Sequence, residues 1–147
     1  MAEMKSIGVI HTPNTEKSLT PIQSSRSELK GTVEVFPQYT EGLQGLEEFS
    51  HIYLIYEFHK SDTEVSLLVN PFLDDRKHGV FATRYPYRPN PLGFSVVRLT
   101  SRQENILSFI GADMLDGTPL LDIKPYIPDF DVFDAQETGW FKNRKKE

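Results

Sequence analysis

The chain has 147 residues and a formal net charge of −5, and it contains no cysteine, which excludes disulfides, thiolate metal sites and cysteine nucleophiles. Its 38% hydrophobic and 12% aromatic residues suit one folded domain with its own core, and they exclude a disordered chain. The acidic charge argues against a broadly basic nucleic-acid binder but allows a local basic patch, since salt screens charges beyond about 8 Å.

Short β-branched and aromatic runs predict a mainly β protein. They are bounded by Pro, Gly, Asn and Asp, and they predict strands at 4–11, 32–36, 51–58, 65–69, 79–82, 95–99 and 106–110. Many strands of about five residues at regular spacing predict a single closed or nearly closed β-barrel, which leaves no exposed strand edges. One short helix is predicted over 41–49 and a second within 131–140.

A polar stretch over 12–31 is the longest segment without a strand or helix pattern. Loops of this length are usually functional or mobile. Within it, Pro21, Ile22 and Gln23 form a stiffened apolar island. From the residues alone, this is a loop anchored by Ile22.

A proline-rich segment over 79–95, GVFATRYPYRPNPLGFS, follows a predicted strand. Its three X-Pro bonds predict a stiff, extended loop, because proline fixes its own φ and pushes the preceding residue into extended geometry. Arg84 and Arg88 lie on this loop with Tyr85 and Tyr87 between them, which suits phosphates, carboxylates or a stacked base. The residues alone equally allow ordinary surface cations on a β-connection.

A second segment over 115–128, LDGTPLLDIKPYIP, begins with the turn dipeptide Asp116-Gly117. The residues after it alternate between an apolar set, Leu121, Ile123 and Pro125, and a polar set, Asp122, Lys124 and Tyr126. This alternation predicts a short strand with one polar face. A hairpin with a solvated ion-pair face is the plainer interpretation, and periodicity alone favours it.

These two segments, together with the N-terminal IGVIHTP and the central GLEEFSHIYLIYEFHK, closely resemble the TsaA-like proteins. The resemblance runs from about residue 7 to about residue 130, through four motifs in the family's order. It implies a β-barrel and, from the characterised bacterial TrmO-type members, a methyltransferase. That enzyme uses S-adenosylmethionine to methylate N6 of N6-threonylcarbamoyladenosine beside the anticodon of tRNA. The lack of a G-x-G-x-x-G after a strand agrees with this non-Rossmann fold.

The resemblance also implies which residues hold S-adenosylmethionine. They are Pro21, Ile22, Gln23, His59, Lys60, Arg84, Phe94, Asp116, Gly117, Thr118 and Pro119. Asp116 can accept from the ribose or the ammonium group, and Arg84 can pair with the carboxylate. Considered without the family, His59 is equally well a strand-end imidazole, and Phe94 is predicted to lie in the core.

Methyl transfer from a sulfonium requires no metal, and the scattered histidines predict no metal site. The acceptor nitrogen must lose a proton, for which the candidate catalytic residues are Asp122, Lys124 and Tyr126. Four further residues are predicted to bind or position the substrate: Arg76, Lys77, Arg88 and Asn90.

The expected organisation is a barrel domain over 1–138 and a basic C-terminal tail over 139–147. The resemblance implies a homodimer with the cofactor pocket near the subunit boundary. No run approaches a membrane span and no signal peptide is evident, so a cytoplasmic protein is expected. The chain ends soon after the barrel, whereas the characterised bacterial enzymes continue. A protein that methylates a small molecule, or a non-catalytic S-adenosylmethionine-binding regulator, therefore stays open.

Overall fold

The computed structural model describes residues 3–15, 27–58 and 65–144. Contacts divide the chain into two compact units, which are 1–59 with 92–127, and 60–91 with 128–147. We call the first the barrel unit and the other the second unit. The predicted cofactor residues Pro21, Ile22, Gln23, His59 and Lys60 lie outside the described residues. The predicted division into 1–138 and 139–147 stays a prediction.

The strands are β1 (Gly8–His11), β2 (Lys30–Val35), β3 (His51–Glu57), β4 (Leu68–Val69), β5 (His78–Gly79), β6 (Leu92–Gln103), β7 (Ile106–Ile110) and β8 (Thr118–Pro125). Six of them close into an antiparallel barrel in the order β1-β2-β7-β6-β3-β8, and β4 pairs with β5 in the second unit. The predicted mainly β barrel is confirmed, and the prediction for 106–110 matches β7 in full.

The core of the barrel is built from alternate residues of each strand, because successive side chains of a strand point to opposite faces. In β3 these are Ile52, Leu54 and Tyr56, all at most 4% exposed. Phe109 and Leu107 from β7 fill the same interior. The residues between them form the outer wall of the barrel.

A β-bulge interrupts β8 at Leu121. Ile55 of β3 is paired with Asp122, but its neighbour Tyr56 is paired with Leu120, so Leu121 has no partner in this pairing. Leu120 is fully buried, and Ile123 packs against the core. The predicted uninterrupted alternation was therefore wrong at Leu121, whereas Asp122 and Lys124 do lie together on the outer wall.

Both predicted helices differ from the structure. The region 41–49 holds the end of one 3₁₀ helix, Pro37–Leu43, and the whole of another, Leu46–Glu48, and Gly45 between them has φ 91°. A left-handed backbone ends a right-handed helix, and glycine adopts it without strain. The region 131–140 holds only the end of α1 (Pro128–Asp131) and the start of a 3₁₀ helix over Gly139–Asn143.

The second unit has less regular structure than its sequence predicts. The predicted strand over 65–69 is reduced to β4, and most of the one over 79–82 is a 3₁₀ helix, Val80–Ala82. The indole of Trp140 donates to the carbonyl of Ala82 at 2.8 Å and stacks on His78 with ring centroids 5.4 Å apart. In the described ranges, no helix is long and apolar enough to cross a membrane.

Candidate functional site

One end of the barrel gathers the chain segments of interest. There β3 ends opposite the start of β6, through the pair Glu57 and Leu92, and β1 ends opposite the start of β8, through the pair Ile10 and Thr118. Residues 111–117, which connect β7 to β8, lie at the same end. We call it the Asp116 end of the barrel.

The Asp116-Gly117 turn is fixed by backbone hydrogen bonds to the segment after β1. The Asp116 N–H donates to the carbonyl of Asn14 at 2.8 Å, and the Gly117 N–H donates to that of Ile10 at 2.9 Å. Gly117 has φ 83°, a conformation that favours glycine. Thr118 closes the turn with its hydroxyl, which donates to the carbonyl of Leu115. The predicted turn is thus a rigid part of the barrel.

The carboxylate of Asp116 is held on one side and open on the other. Its Oδ1 accepts from the Thr12 N–H at 3.0 Å and lies 3.7 Å from Nδ1 of His11. The side chain nevertheless keeps 45% of its surface exposed, so it can accept from a ligand. Nε2 of His11 lies 3.3 Å from Oε1 of Glu34 on its other side.

A buried asparagine supports this turn and was missed by the sequence analysis. Asn14 is 4% exposed, and its amide donates to the carbonyls of Ala112 and Met114, both at 3.1 Å. The hydroxyl of Thr12 donates to the same Met114 carbonyl at 2.9 Å. The only signal in the sequence was the position of Asn14 directly after the IGVIHTP motif.

A second missed feature is a hydrogen-bonded chain inside the barrel. The carboxylate of Asp113 can only accept, so Ser95 donates to it at 2.7 Å, and the hydroxyl of Tyr56 then donates to Ser95 Oγ at 2.8 Å. Burial, and then the negative charge of Asp113, raise the pKa of Tyr56 far above its usual value. Tyr56 therefore stays protonated and keeps its role as donor.

Phe94 lies on the outer wall and is 49% exposed, so its prediction as a core residue was wrong. The reason is strand alternation, since Gly93 and Ser95 on either side of it point inward. Its ring is 6.4 Å from that of Tyr53, which is 5.7 Å from that of Tyr126. An aromatic surface therefore covers this side of the barrel.

The predicted catalytic residues share this outer wall. Phe94 and Asp122 are both cross-strand partners of Ile55, so they stand two strands apart at the same level. Asp122 and Lys124 form an ion pair of 3.2 Å in which the side chains are 47% and 64% exposed. The geometry of β8 at these two residues is therefore the one that periodicity favoured, a solvated face with an ion pair.

The predicted cations of the proline-rich loop lie in the second unit. Arg88 is half-buried, and its Nη1 donates to the carbonyls of Thr83 at 2.8 Å and Tyr85 at 3.0 Å. It therefore holds the loop in shape, and its predicted contact with a substrate stays a prediction. Three other predicted substrate-binding residues, Arg76, Lys77 and Asn90, are exposed, and so is Arg84.

A histidine–aspartate pair directly precedes the proline-rich loop in the chain. Nε2 of His78 lies 2.6 Å from Oδ2 of Asp74, and the hydrogen bond from His78 lowers the pKa of Asp74 below its usual value. Among the described residues, no group of three or more His, Asp or Glu side chains is placed to hold a metal ion.

Comparison with known proteins gives matches along most of the chain. Residues 9–132 match the model of the tRNA-methyltransferase O N-terminal domain. A probable S-adenosyl-L-methionine-binding protein of Pyrococcus abyssi is 55% identical over 139 residues, which cover 94% of this chain and 75% of that protein. The tRNA (adenine(37)-N6)-methyltransferase of Mus musculus is 39% identical over 132 residues, which cover 85% of this chain and 31% of the mouse protein.

The fold has solved neighbours as well. A crystal structure of TrmO superposes with a TM-score of 0.79 at 40% identity, over 93% of this chain and 63% of that one. The chain thus spans three quarters of the archaeal relative, but less than a third of the mouse protein and less than two thirds of the TrmO chain.

Proposed function

Because the chain belongs to the tRNA-methyltransferase O N-terminal domain family, we propose that it transfers a methyl group from S-adenosylmethionine to tRNA. The acceptor in this proposal is N6 of N6-threonylcarbamoyladenosine beside the anticodon. The observation that carries the proposal is the Asp116 end of the barrel, where a rigid turn presents a half-exposed carboxylate. A cytoplasmic location belongs to the same proposal.

The residues at hand fit S-adenosylmethionine. A carboxylate in the position of Asp116 can accept from ribose hydroxyls or from an ammonium group. The exposed ring of Phe94 offers the flat apolar face that a nucleoside ligand needs. We assign these two residues and Gly117, Thr118 and Pro119 to the cofactor. Arg84 stays a predicted partner of the cofactor's carboxylate. When bound, the cofactor supplies a methyl group on an already activated sulfonium.

The proposed chemistry asks the chain for positioning and for a proton acceptor. As the C–S bond breaks and the new C–N bond forms, the proton on N6 must leave. We assign it to the carboxylate of Asp122, which is exposed on the outer wall with Lys124 and Tyr126 beside it. The neighbouring rings of Tyr53 and Tyr126 support the assignment, because single bases stack on such rings.

Binding of the rest of the acceptor is assigned to the second unit. Arg76, Lys77 and Asn90 are exposed there, and Arg88 holds the backbone of the proline-rich loop. Exposed cations of this kind contact phosphates.

We further propose that the protein is a homodimer in which both subunits contribute to the site. The second unit supports this proposal, because it leaves several large apolar side chains exposed, with Phe72 at 56%, Phe81 at 76%, Phe130 at 71% and Phe133 at 81%. Exposed apolar surface of this extent marks an interaction site in a folded protein. Light scattering that gives a monomer able to bind the cofactor would contradict this part.

The test is transfer of labelled methyl from S-adenosylmethionine to tRNA with and without the threonylcarbamoyl group. We expect label only in the modified tRNA. The variant Asp122→Asn should lower the rate at saturating substrate, whereas Asp129→Asn, an exposed carboxylate of the second unit, should not. Cofactor binding without transfer to either tRNA would contradict the proposal, and would favour a small acceptor or a regulatory role.

A further inference from the structure

An open groove of about 620 Å³ crosses the outer wall of the barrel over β1, β2, β7 and β6. Among the residues that the structure describes, none of those predicted for the cofactor, the catalysis or the substrate lines it. Its lining includes His11, Lys30, Thr32, Thr100 and Ser108. The groove lies entirely within the barrel unit, and all its lining residues except Thr12 and Pro13 belong to strands.

A row of basic side chains crosses the outer wall of the barrel, and its first member, Lys30, lines the groove. Lys30 of β2 and Arg98 of β6 are both cross-strand partners of Ile110, and His51 of β3 is the partner of Arg98. The row covers four adjacent strands, or about 14 Å. Lys30 and Arg98 are exposed, and neither forms an ion pair within the part of the chain that the structure describes.

A row of hydroxyl groups runs beside the basic row. Thr32 is the cross-strand partner of Ser108, and Thr100 lies next to them at a register shift in β6, with its hydroxyl donating to the Ser108 carbonyl at 3.0 Å. Hydroxyls both donate and accept hydrogen bonds. In the described part of the chain no acidic residue lines the groove, and the nearest carboxylates, Glu34 and Asp116, flank His11 at its edge.

We infer that this groove binds the sugar-phosphate backbone of the substrate tRNA. The chain has a net charge of −5, but Lys30 and Arg98 form no ion pair among the described residues, and the carboxylates nearest the groove lie at its edge. The two cations therefore form a local attraction for phosphates. The adjacent hydroxyls match the ribose 2′-hydroxyls that distinguish RNA. His11 both lines the groove and lies 3.7 Å from Asp116, so bound RNA would extend toward the Asp116 end. This inference rests on the proposed function.

The test compares tRNA binding by the full chain and by the double variant Lys30→Gln/Arg98→Gln at several salt concentrations. Each phosphate contact contributes about 0.7 to the slope of log affinity against log salt for single strands. Loss of two contacts should therefore weaken binding about 25-fold at 0.1 M salt and reduce the slope by about 1.4. The control Lys5→Gln, an exposed cation outside the groove, should stay within about twofold.

Cofactor affinity, measured in parallel, shows that the variants are folded. If the unmodified chain methylates tRNA but the double variant binds it within twofold of normal, the inference about the groove is overturned and the proposed function stands. If the unmodified chain binds no tRNA, both fail.

Discussion

The hydroxyl of Tyr56 lies 2.8 Å from Oγ of Ser95, because the tyrosine ring passes over Gly93, which has no side chain. The residue directly opposite Tyr56 in the register is Gly93, and a Cβ built there would lie 2.5 Å from Cε2 of the tyrosine ring. The ring therefore covers Gly93 and places its hydroxyl beside the residue two positions further on. Glycine is what allows this buried connection between β3 and β6.

Removing the Tyr56 hydroxyl should destabilise the fold without opening the barrel. In Tyr56→Phe, Ser95 loses its donor in a buried site, and we expect the free energy of unfolding to fall by about 1 kcal/mol. Urea denaturation measures this change. The control is Tyr126→Phe, because the hydroxyl of Tyr126 forms no hydrogen bond with the described residues. Equal stability of the two variants would count against the hydrogen-bonded chain.

Adding a methyl group at position 93 should be more costly. In Gly93→Ala the new Cβ would meet the rings of Tyr56 and Phe58, and overpacking of this kind costs about 1 to 3 kcal/mol. At Gly42 a Cβ meets nothing within 4 Å, so Gly42→Ala should be neutral or slightly stabilising. Thermal unfolding of both variants tests the prediction, which fails if Gly93→Ala has the same melting temperature as the unmodified protein.

The Asp116 carboxylate should contribute its charge to cofactor binding. In Asp116→Asn the side-chain oxygen still accepts from the Thr12 N–H, so the turn should persist. Loss of a charge-assisted hydrogen bond should weaken S-adenosylmethionine binding about tenfold by calorimetry. Glu34→Gln is the matched control, since it neutralises the other carboxylate beside His11. Weakening of the same size in both variants would indicate a general effect of charge.

Acid should loosen the second unit through Asp74. The hydrogen bond from His78 lowers the pKa of Asp74 in the folded state, so its stabilising effect is present above the pKa of the unfolded chain, about 3.9. That effect is lost as the pH falls through the lower, folded pKa. The fluorescence of Trp140, the only tryptophan, reports this region because its ring stacks on His78.

We therefore expect Asp74→Asn to reduce the stability measured at neutral pH and to flatten its fall between pH 5 and acid. The control Asp129→Asn, an exposed carboxylate in the same unit, should keep the acid dependence of the unmodified protein. A steep acid transition that survives in Asp74→Asn would assign it to another carboxylate.

The sequence predicted those parts of the fold that depend on local pattern. Strand β7 and the barrel class follow from β-branched and aromatic runs, which carry the same meaning wherever they occur. The bulge at Leu121 could not be predicted, because it depends on how β8 pairs with β3. Contacts inside the barrel could not be predicted either, because they too depend on strand pairing. Asp113, Ser95 and Tyr56 are far apart in the chain. The register of β3 and β6 brings Tyr56 to Ser95, and the connection from β7 to β8 brings Asp113 to Ser95.

Phe94 shows how alternation decides between core and surface. A phenylalanine in a β-branched run is usually buried, but here its neighbours Gly93 and Ser95 take the inward positions. The small size of those neighbours was visible in the sequence. The sequence could not show that the Tyr56 ring packs over these two inward positions and requires them to be small.

The pairing of Glu57 with Leu92 makes the proline-rich region an insertion that leaves and re-enters the barrel at a single point. The insertion therefore joins β3 to β6 as the loop of a β-hairpin does. The entropic cost of closing a loop rises only slowly with its length. The insertion can thus change in sequence or in length with little effect on the register of the six barrel strands. The insertion can therefore change the surface that it offers to an acceptor while the Asp116 turn and the outer wall of the barrel stay as they are.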